Sequence, residues 1–250
     1  MKVLELFAGS RSVGKEAERQ GHEVFSSDIN GFEDIDYCVD ILDFDVSKVP
    51  FIPDFLWASP PCTFFSVASI GKLWHPDHTP KTPQASLGVS IVKKTLEIID
   101  YFLSINPKMI WYMENPRGKL RKLDVVSGYD KATVTYCSYG DMRMKPTDIW
   151  SNNLFDPLSN VYGWEPIKIC HSYKYDSDGN IINRHCHHES ARRGAKTGTQ
   201  GIKGNYNRSK IPQKLCEEIL RTLHEKYKCF KCKKITDETK DLCEHCLTNL

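Results

Sequence analysis

Residues 59–66, Ser-Pro-Pro-Cys-Thr-Phe-Phe-Ser, set Cys62 directly behind two prolines. The prolines fix the backbone, and the run Asp54–Ala58 before them reads as a strand. The thiol therefore falls in the crevice beyond the carboxyl end of a sheet, where open α/β proteins bind ligands. Glu114, in the Glu-Asn-Pro that ends the apolar run Met109–Met113, holds the corresponding place on another strand. Taken singly, neither is diagnostic, since a glutamate after a strand is more often a surface group. If the two strands are neighbours, one cleft receives a thiol and a carboxyl group, the types that serve as nucleophile and acid–base group. A third constellation closes the sequence. Cys229-x-x-Cys232 and Cys243-x-x-Cys246 offer four sulfurs in the spacing of a structural zinc site. A tail of about 22 residues cannot bury a core without such a staple.

The composition bounds what these residues can belong to. The chain has 250 residues, 34 basic and 32 acidic, with 40% hydrophobic side chains. That is ordinary for a soluble globular protein and too apolar for wholesale disorder. No run approaches the roughly 18 apolar residues that span a bilayer, and Glu5 comes too early for a secretory leader. A cytoplasmic location is the default expectation, and with it ten cysteines that bind metal, do chemistry or pack rather than form disulfides. The formal charge of +2 argues against coating nucleic acid by charge alone, but leaves room for a local basic face.

The elements that must position these groups alternate in type. Strands are expected at Lys2–Phe7, Glu23–Ser27, near Tyr37–Val39, at Asp54–Ala58, Met109–Met113, Ala132–Cys137 and Asp148–Trp150. Helices are expected at Val13–Gln20 and Val89–Ile105, giving an α/β fold with a parallel sheet of about seven strands. The loop from Thr63 to Leu87 contains three prolines and reads as a lid. Between the first strand and its helix, Phe7-Ala8-Gly9-Ser10-Arg11-Ser12-Val13-Gly14 is a turn of small residues that brings backbone N–H groups close to a ligand. Its spacing is not the dinucleotide Gly-x-Gly-x-x-Gly. Asp28 ends the second strand, where a carboxylate can bond a ribose hydroxyl. A nucleotide-like ligand and a plain tight turn both fit this stretch.

Taken together the motifs resemble those of the DNA (cytosine-5)-methyltransferases, in a small, phage-like form. FAGSRSVG resembles that family's first cofactor motif, SPPCTFFS its catalytic Pro-Cys loop, and ENPRGK at 114–119 its Glu-Asn motif. YGDMRMKPTDIW at 139–150 resembles a diverged basic motif, and GNYNRSKIPQKLCEEIL at 204–220 the closing motif. The five run in the family's order along most of the chain. The resemblance implies a Rossmann-like, S-adenosylmethionine-dependent methyltransferase fold. It divides the chain into a catalytic domain over 1–155, a target-recognition region over 156–207, a returning helix over 208–227 and a zinc ribbon-like tail over 228–250.

The resemblance also implies roles. Cys62 is the nucleophile that attacks carbon-6 of cytosine, and Glu114 holds the base edge and its proton at N3. Arg143 or Lys145 contacts the cytosine carbonyl or a phosphate, and the spacing does not say which. Cofactor contacts fall to Phe7, Ala8, Gly9, Ser10, Ser12, Val13, Gly14, Asp28, Ile29, Asp40, Ile41 and Pro60. Duplex DNA is the expected partner, met by Ser66, Arg117, Arg184, Arg192, Arg193, Lys196, Lys203 and Arg208, and the protein is expected to act as a monomer.

Residues 156–207 combine Lys168, Lys174, Arg184, Arg192, Arg193, Lys196 and Lys203 with Gly194, Gly198, Gly201 and Gly204, either a DNA-reading insert or a solvated loop. A turn at Asp176–Asn180 would set Cys170 opposite Cys186, with His171, His185 and His187 near, as a metal site or simply as packed neighbours. Cys38, Cys137 and Cys216 are left as packing residues. The expected activity is methylation of carbon-5 of cytosine in double-stranded DNA through a flipped-out base. It would serve in masking DNA from restriction or in preparing cytosines for further modification, in the host cytoplasm if phage-encoded. The rivals are cytosine methylation in transfer RNA, a catalytically inactive DNA-binding protein of the same fold, and methylation of a free nucleotide.

Overall fold

The computed structural model describes residues 1–154, 163–166, 170, 174, 175, 181–183 and 204–226. Seven segments form one sheet: β1 (Lys2–Leu6), β2 (Glu23–Asp28), β3 (Tyr37–Cys38), β4 (Phe55–Ala58), β5 (Ile110–Pro116), β6 (Lys131–Thr135) and β7 (Pro146–Ser151). Their order is β3-β2-β1-β4-β5-β7-β6. The chain first winds one way from β1 to β2 and β3, then returns to the other side of β1 with β4. The gap between the ends of β1 and β4 is thus a topological switch point, the usual ligand crevice of such sheets.

Helices cover both faces. On one side α1 (Ser12–Arg19) and α5 (Gln213–Lys226) pack on each other and on the sheet, through Val13, Ala17, Leu215, Ile219 and Leu220 against Val3, Phe55 and Tyr112. On the other, α3 (Pro83–Ile105) lays Ala85, Val92, Leu96, Ile99 and Phe102 over Leu4, Leu56 and Trp111. Because both faces are covered, β4 and β5 read as continuous apolar runs rather than alternating ones.

Three expectations need correction. The sheet is mixed, because β7 runs antiparallel to both β5 and β6. Only residues 136–145 join β6 to β7, too few for the crossover that parallel strands require. Helix α3 begins six residues before Val89, where Thr82 caps it by accepting the Ala85 N–H and Pro83 fills the first turn.

The expected lid over 63–87 is anchored to the core at Phe65 and Trp74, while residues 75–81 are exposed. Short 3₁₀ turns at Cys62–Phe64 and Val67–Ser69 lead to α2 (Ile70–Leu73), and Trp74 bridges to Pro80. Trp74 is buried, stacks on buried Phe65 and donates its indole N–H to the Phe64 carbonyl at 2.8 Å. These two aromatic residues anchor the loop.

Cys137 and Cys216 are buried as expected, but Cys38 is exposed, because β3 is a two-residue edge strand. The hairpin foreseen around 176–180 has its two strands, β8 (Lys174–Tyr175) and β9 (Ile181–Asn183), paired antiparallel with Lys174 opposite Asn183. Cys170 is buried and donates its backbone N–H to Thr135 Oγ1. Cys186, His171, His185 and His187 lie outside the described residues, as does the tail with Cys229, Cys232, Cys243 and Cys246. No helix among the described residues is long and apolar enough to cross a membrane.

Candidate active site

Strands β4 and β5 are parallel neighbours, with Ala58 opposite Met113, so the loop carrying Cys62 and the end of β5 carrying Glu114 lie side by side at one end of the sheet. A direct bond joins them. Asn115, fully buried, donates its side-chain N–H to the carbonyl of Pro60 at 2.9 Å. The backbone then folds close. Lys119 N–H donates to the Phe65 carbonyl at 2.7 Å, and a Cβ on Gly118 would stand 2.2 Å from that oxygen. Only glycine allows this approach.

Cys62 is solvent-accessible at the start of its 3₁₀ turn. The cleft walls nevertheless strip water from a thiolate, which raises the thiol pKa above its ordinary value. Lys145 pulls in the opposite direction, Glu114 adds to the rise, and Arg208 lowers it. Three charged groups from three separate segments thus act on one sulfur.

Glu114 is buried at the end of β5. Its Oε1 accepts the hydroxyl of Tyr136 at 2.9 Å, and the Lys145 ammonium stands 3.6 Å from the same oxygen. That ammonium also lies 4.3 Å from the centre of the Tyr136 ring, a cation–π contact. Arg143 does something different. Its guanidinium is buried, engages Asp141 through two nitrogens, and donates to the carbonyls of Arg208 and Lys210. The structure therefore separates the two basic candidates, with Lys145 beside Glu114 and Arg143 clamping the segment that leads into α5.

At the switch point Phe7, Gly9 and Arg11 all have positive φ, which folds the loop after β1 back on itself. Ala8 donates its N–H to Ser27 O and Gly9 to Asp28 Oδ2, both at 3.0 Å. Ser10 and Ser12 share a hydroxyl bond, and Ser12 Oγ accepts the N–H of Ile211. The closing segment therefore sits on the first loop. Helix α4 (Asn205–Ser209) adds to this, with Tyr206 packed on Phe32 and the Ser209 hydroxyl near Gly9.

Other nominated residues have their groups engaged elsewhere. Val13 and Gly14 give their N–H groups to Glu5, Ile41 is buried in the core, and Asp40 caps a short turn through the Leu42 N–H. Ile29 remains 62% exposed and Leu42 37%, apolar side chains left open beside Asp28 and Asp40. Ser66 holds its turn by donating to the Cys62 carbonyl, and Pro60 is buried with its carbonyl engaged by Asn115. Arg117 is exposed, whereas Arg208 is half-buried in α4. Arg184, Arg192, Arg193, Lys196 and Lys203 lie outside the described residues.

Two residues of this region were not singled out from sequence. Glu5 lies buried beneath the first loop and accepts the N–H groups at the start of α1. Burial pushes its pKa up to about 7, against those two bonds and the Arg11 charge. A lone acidic residue inside the apolar strand Lys2–Leu6 is a signal that could have found it. Tyr136 has no such local signal, since its hydroxyl meets a residue 22 positions away.

A Rossmann-like sheet with a looped cradle at its switch point, and a thiol and a carboxyl group on the next two strands, defines an α/β protein with one composite site. The chain is 32% identical over 160 residues to the probable DNA (cytosine-5)-methyltransferase of Frog virus 3 (isolate Goorha), covering 61% of this chain and 71% of that protein. The chain belongs to the DNA (cytosine-5)-methyltransferase family, and it is a methyltransferase. No family model matches the sequence. Among solved structures, the chain is similar to the Entamoeba histolytica methyltransferase EhMeth, at 13% identity and a TM-score of 0.46, covering 71% of this chain and 63% of that one. It is also similar to a mutant of Spodoptera frugiperda DNMT2, at 20% identity and a TM-score of 0.37, covering 62% and 51%. The chain thus spans less than two thirds of either solved protein.

Proposed function

We propose that this protein methylates carbon-5 of cytosine in double-stranded DNA, with S-adenosylmethionine as methyl donor. The observation that carries the reading is the joining of the Cys62 and Glu114 loops by the Asn115–Pro60 bond, next to the cradle of Gly9 and Asp28. The cradle fits the cofactor chemically. Asp28 offers carboxylate oxygens to ribose hydroxyls, exposed Ile29 and Leu42 offer apolar surface to a purine, and Gly9 keeps open the space a side chain would fill. Phe7, Gly9, Ser10, Ser12 and Asp28 would hold it, and bound there it supplies an electrophilic methyl group.

Carbon-5 of cytosine is a poor nucleophile, so the protein must activate it. The Cys62 thiolate adds to carbon-6, forming a sulfur–carbon bond and sending charge into the ring. Glu114 meets that charge with a proton at N3, while Lys145 balances the carboxylate side of the pair. Carbon-5 becomes enamine-like and takes the methyl group. Loss of the carbon-5 proton to water expels the Cys62 thiolate, and return of the N3 proton to Glu114 restores the ring. The target atom is stacked inside duplex DNA, so the base must be flipped into the cleft.

Arg117 and Arg208 from the described residues, with Ser66 and the basic insert residues Arg184, Arg192, Arg193, Lys196 and Lys203, are the proposed DNA contacts. The four cysteines of the tail are proposed to hold zinc as a brace outside the chemistry, and the protein to act as a monomer in the cytoplasm.

The test is transfer of labelled methyl to duplex DNA and, in parallel, to transfer RNA, with Cys62→Ala as control. Labelled DNA in the wild type alone, and a covalent complex with 5-fluorocytosine DNA, are expected. Label in transfer RNA only would move the substrate to RNA, and label persisting in the mutant would end the Cys62 mechanism.

A further inference from the structure

We infer that Tyr136 is a positioning residue of the active site, fixing which oxygen of Glu114 is available to the cytosine ring. The inference rests on the reading of Glu114 as the group that meets N3. Tyr136 lies in the 3₁₀ turn Tyr136–Tyr139 after β6, two strands away from Glu114 in the sheet. Its ring is fully buried, and its hydroxyl donates to Glu114 Oε1 at 2.9 Å. Burial beside that carboxylate holds the phenol pKa well above its ordinary value, so the hydroxyl keeps its proton and acts as a donor.

Oε1 is therefore crowded with positive ends. It takes the phenol proton on one side and faces the Lys145 ammonium at 3.6 Å on the other. A proton arriving on this carboxyl group goes to Oε2, for which the described residues provide no hydrogen-bond partner. A phenol donor and an ammonium on one oxygen also fix the rotation of the carboxyl plane, whose terminal torsion is otherwise broad. One oxygen becomes the anchor and the other the working atom.

The Tyr136 ring serves a second purpose in the same arrangement. It forms a platform 4.3 Å below the Lys145 ammonium, so the lysine is held near Oε1 by the ring that also supplies the hydroxyl.

Tyr136→Phe removes the donor and keeps the ring. We expect kcat for methyl transfer to duplex DNA to fall about tenfold, the loss of one hydrogen bond to a charged group, with KM for DNA and for S-adenosylmethionine within about twofold of the wild type. In the double mutant with Glu114→Gln, the Tyr136→Phe change should have no further effect, because it acts through that carboxyl group. Circular dichroism and thermal unfolding of each variant separate these effects from misfolding. A raised KM with unchanged kcat, or equal losses in both backgrounds, overturns the positioning role. Absence of methyl transfer by the wild type would instead overturn the functional reading on which it rests.

Discussion

Asn115 donates to the Pro60 carbonyl across the gap between β5 and β4, and that bond ties the end of β5 that carries Glu114 to the Cys62 loop. The donor is fully buried, so no water replaces it. Asn115→Ala should therefore leave a carbonyl unpaired and cost about 2 kcal/mol. Thermal unfolding should show a midpoint about 4–8 °C lower, and alkylation of Cys62 should change rate as its turn loosens. An unchanged midpoint and an unchanged alkylation rate together would show that the bond does not couple the loops.

The two basic residues of the 139–150 segment should part in their effects. Lys145→Met removes a charge that lowers the Cys62 pKa. The thiol then rises further, and iodoacetamide alkylation at neutral pH should slow several-fold with little change in stability. Arg143→Met instead breaks a buried ion pair with Asp141 and frees two carbonyls before α5. A loss of about 3 kcal/mol is expected, measured by denaturant unfolding. Equal effects of the two substitutions on both readouts would contradict this division.

Gly118→Ala is a steric test of the same joint. The new methyl carbon would meet the Phe65 carbonyl oxygen at 2.2 Å, so one backbone must retreat. About 1–3 kcal/mol of destabilisation is expected. Activity should fall by more than stability alone explains, because the displaced segment carries Cys62.

Glu5 gives a pH dependence with a defined sign. Its carboxyl pKa rises from 4.5 in the unfolded chain to about 7 in the folded one. A raised folded pKa means that its stabilising contribution is fully present below about pH 4.5 and is lost as pH rises through about 7. Going from pH 5 to pH 8 should therefore cost the wild type at most about 3 kcal/mol through this group. Glu5→Gln, which keeps an acceptor for one α1 N–H, should flatten that part of the curve. Parallel slopes for the two proteins in chemical denaturation would refute it.

The tail offers a compositional check. Cys229, Cys232, Cys243 and Cys246 should bind about one zinc ion per chain, measured by elemental analysis. Cys243→Ser should release it without abolishing methyl transfer, since the tail is proposed as a brace. Wild-type protein purified without zinc at full activity and stability would remove the metal from the account.

Local chemistry was legible in the sequence. Proline pairs, small-residue turns and Cys-x-x-Cys knuckles act over a few residues, so Cys62, Glu114, the turn at 7–14 and the seven strands could be located from pattern alone. The start of α3 was also written there, in Thr82-Pro83, but the apolar period that begins at Val89 masked it. The direction of β7 was implicit in a connection too short for a crossover, whereas its place between β5 and β6 came from packing.

What only the tertiary structure decided are relations between residues far apart in the chain. Arg143 is neutralised by Asp141 and held by carbonyls 65 and 67 positions away, so Lys145 and not Arg143 faces Glu114. The Tyr136 hydroxyl finds Glu114 because β6 and β5 flank the same reversed strand. Sequence by itself determined which reactive groups the protein has and which strand ends carry them. Their partners, and therefore their charge and orientation, depend on burial and on contacts between distant segments, which no local pattern encodes.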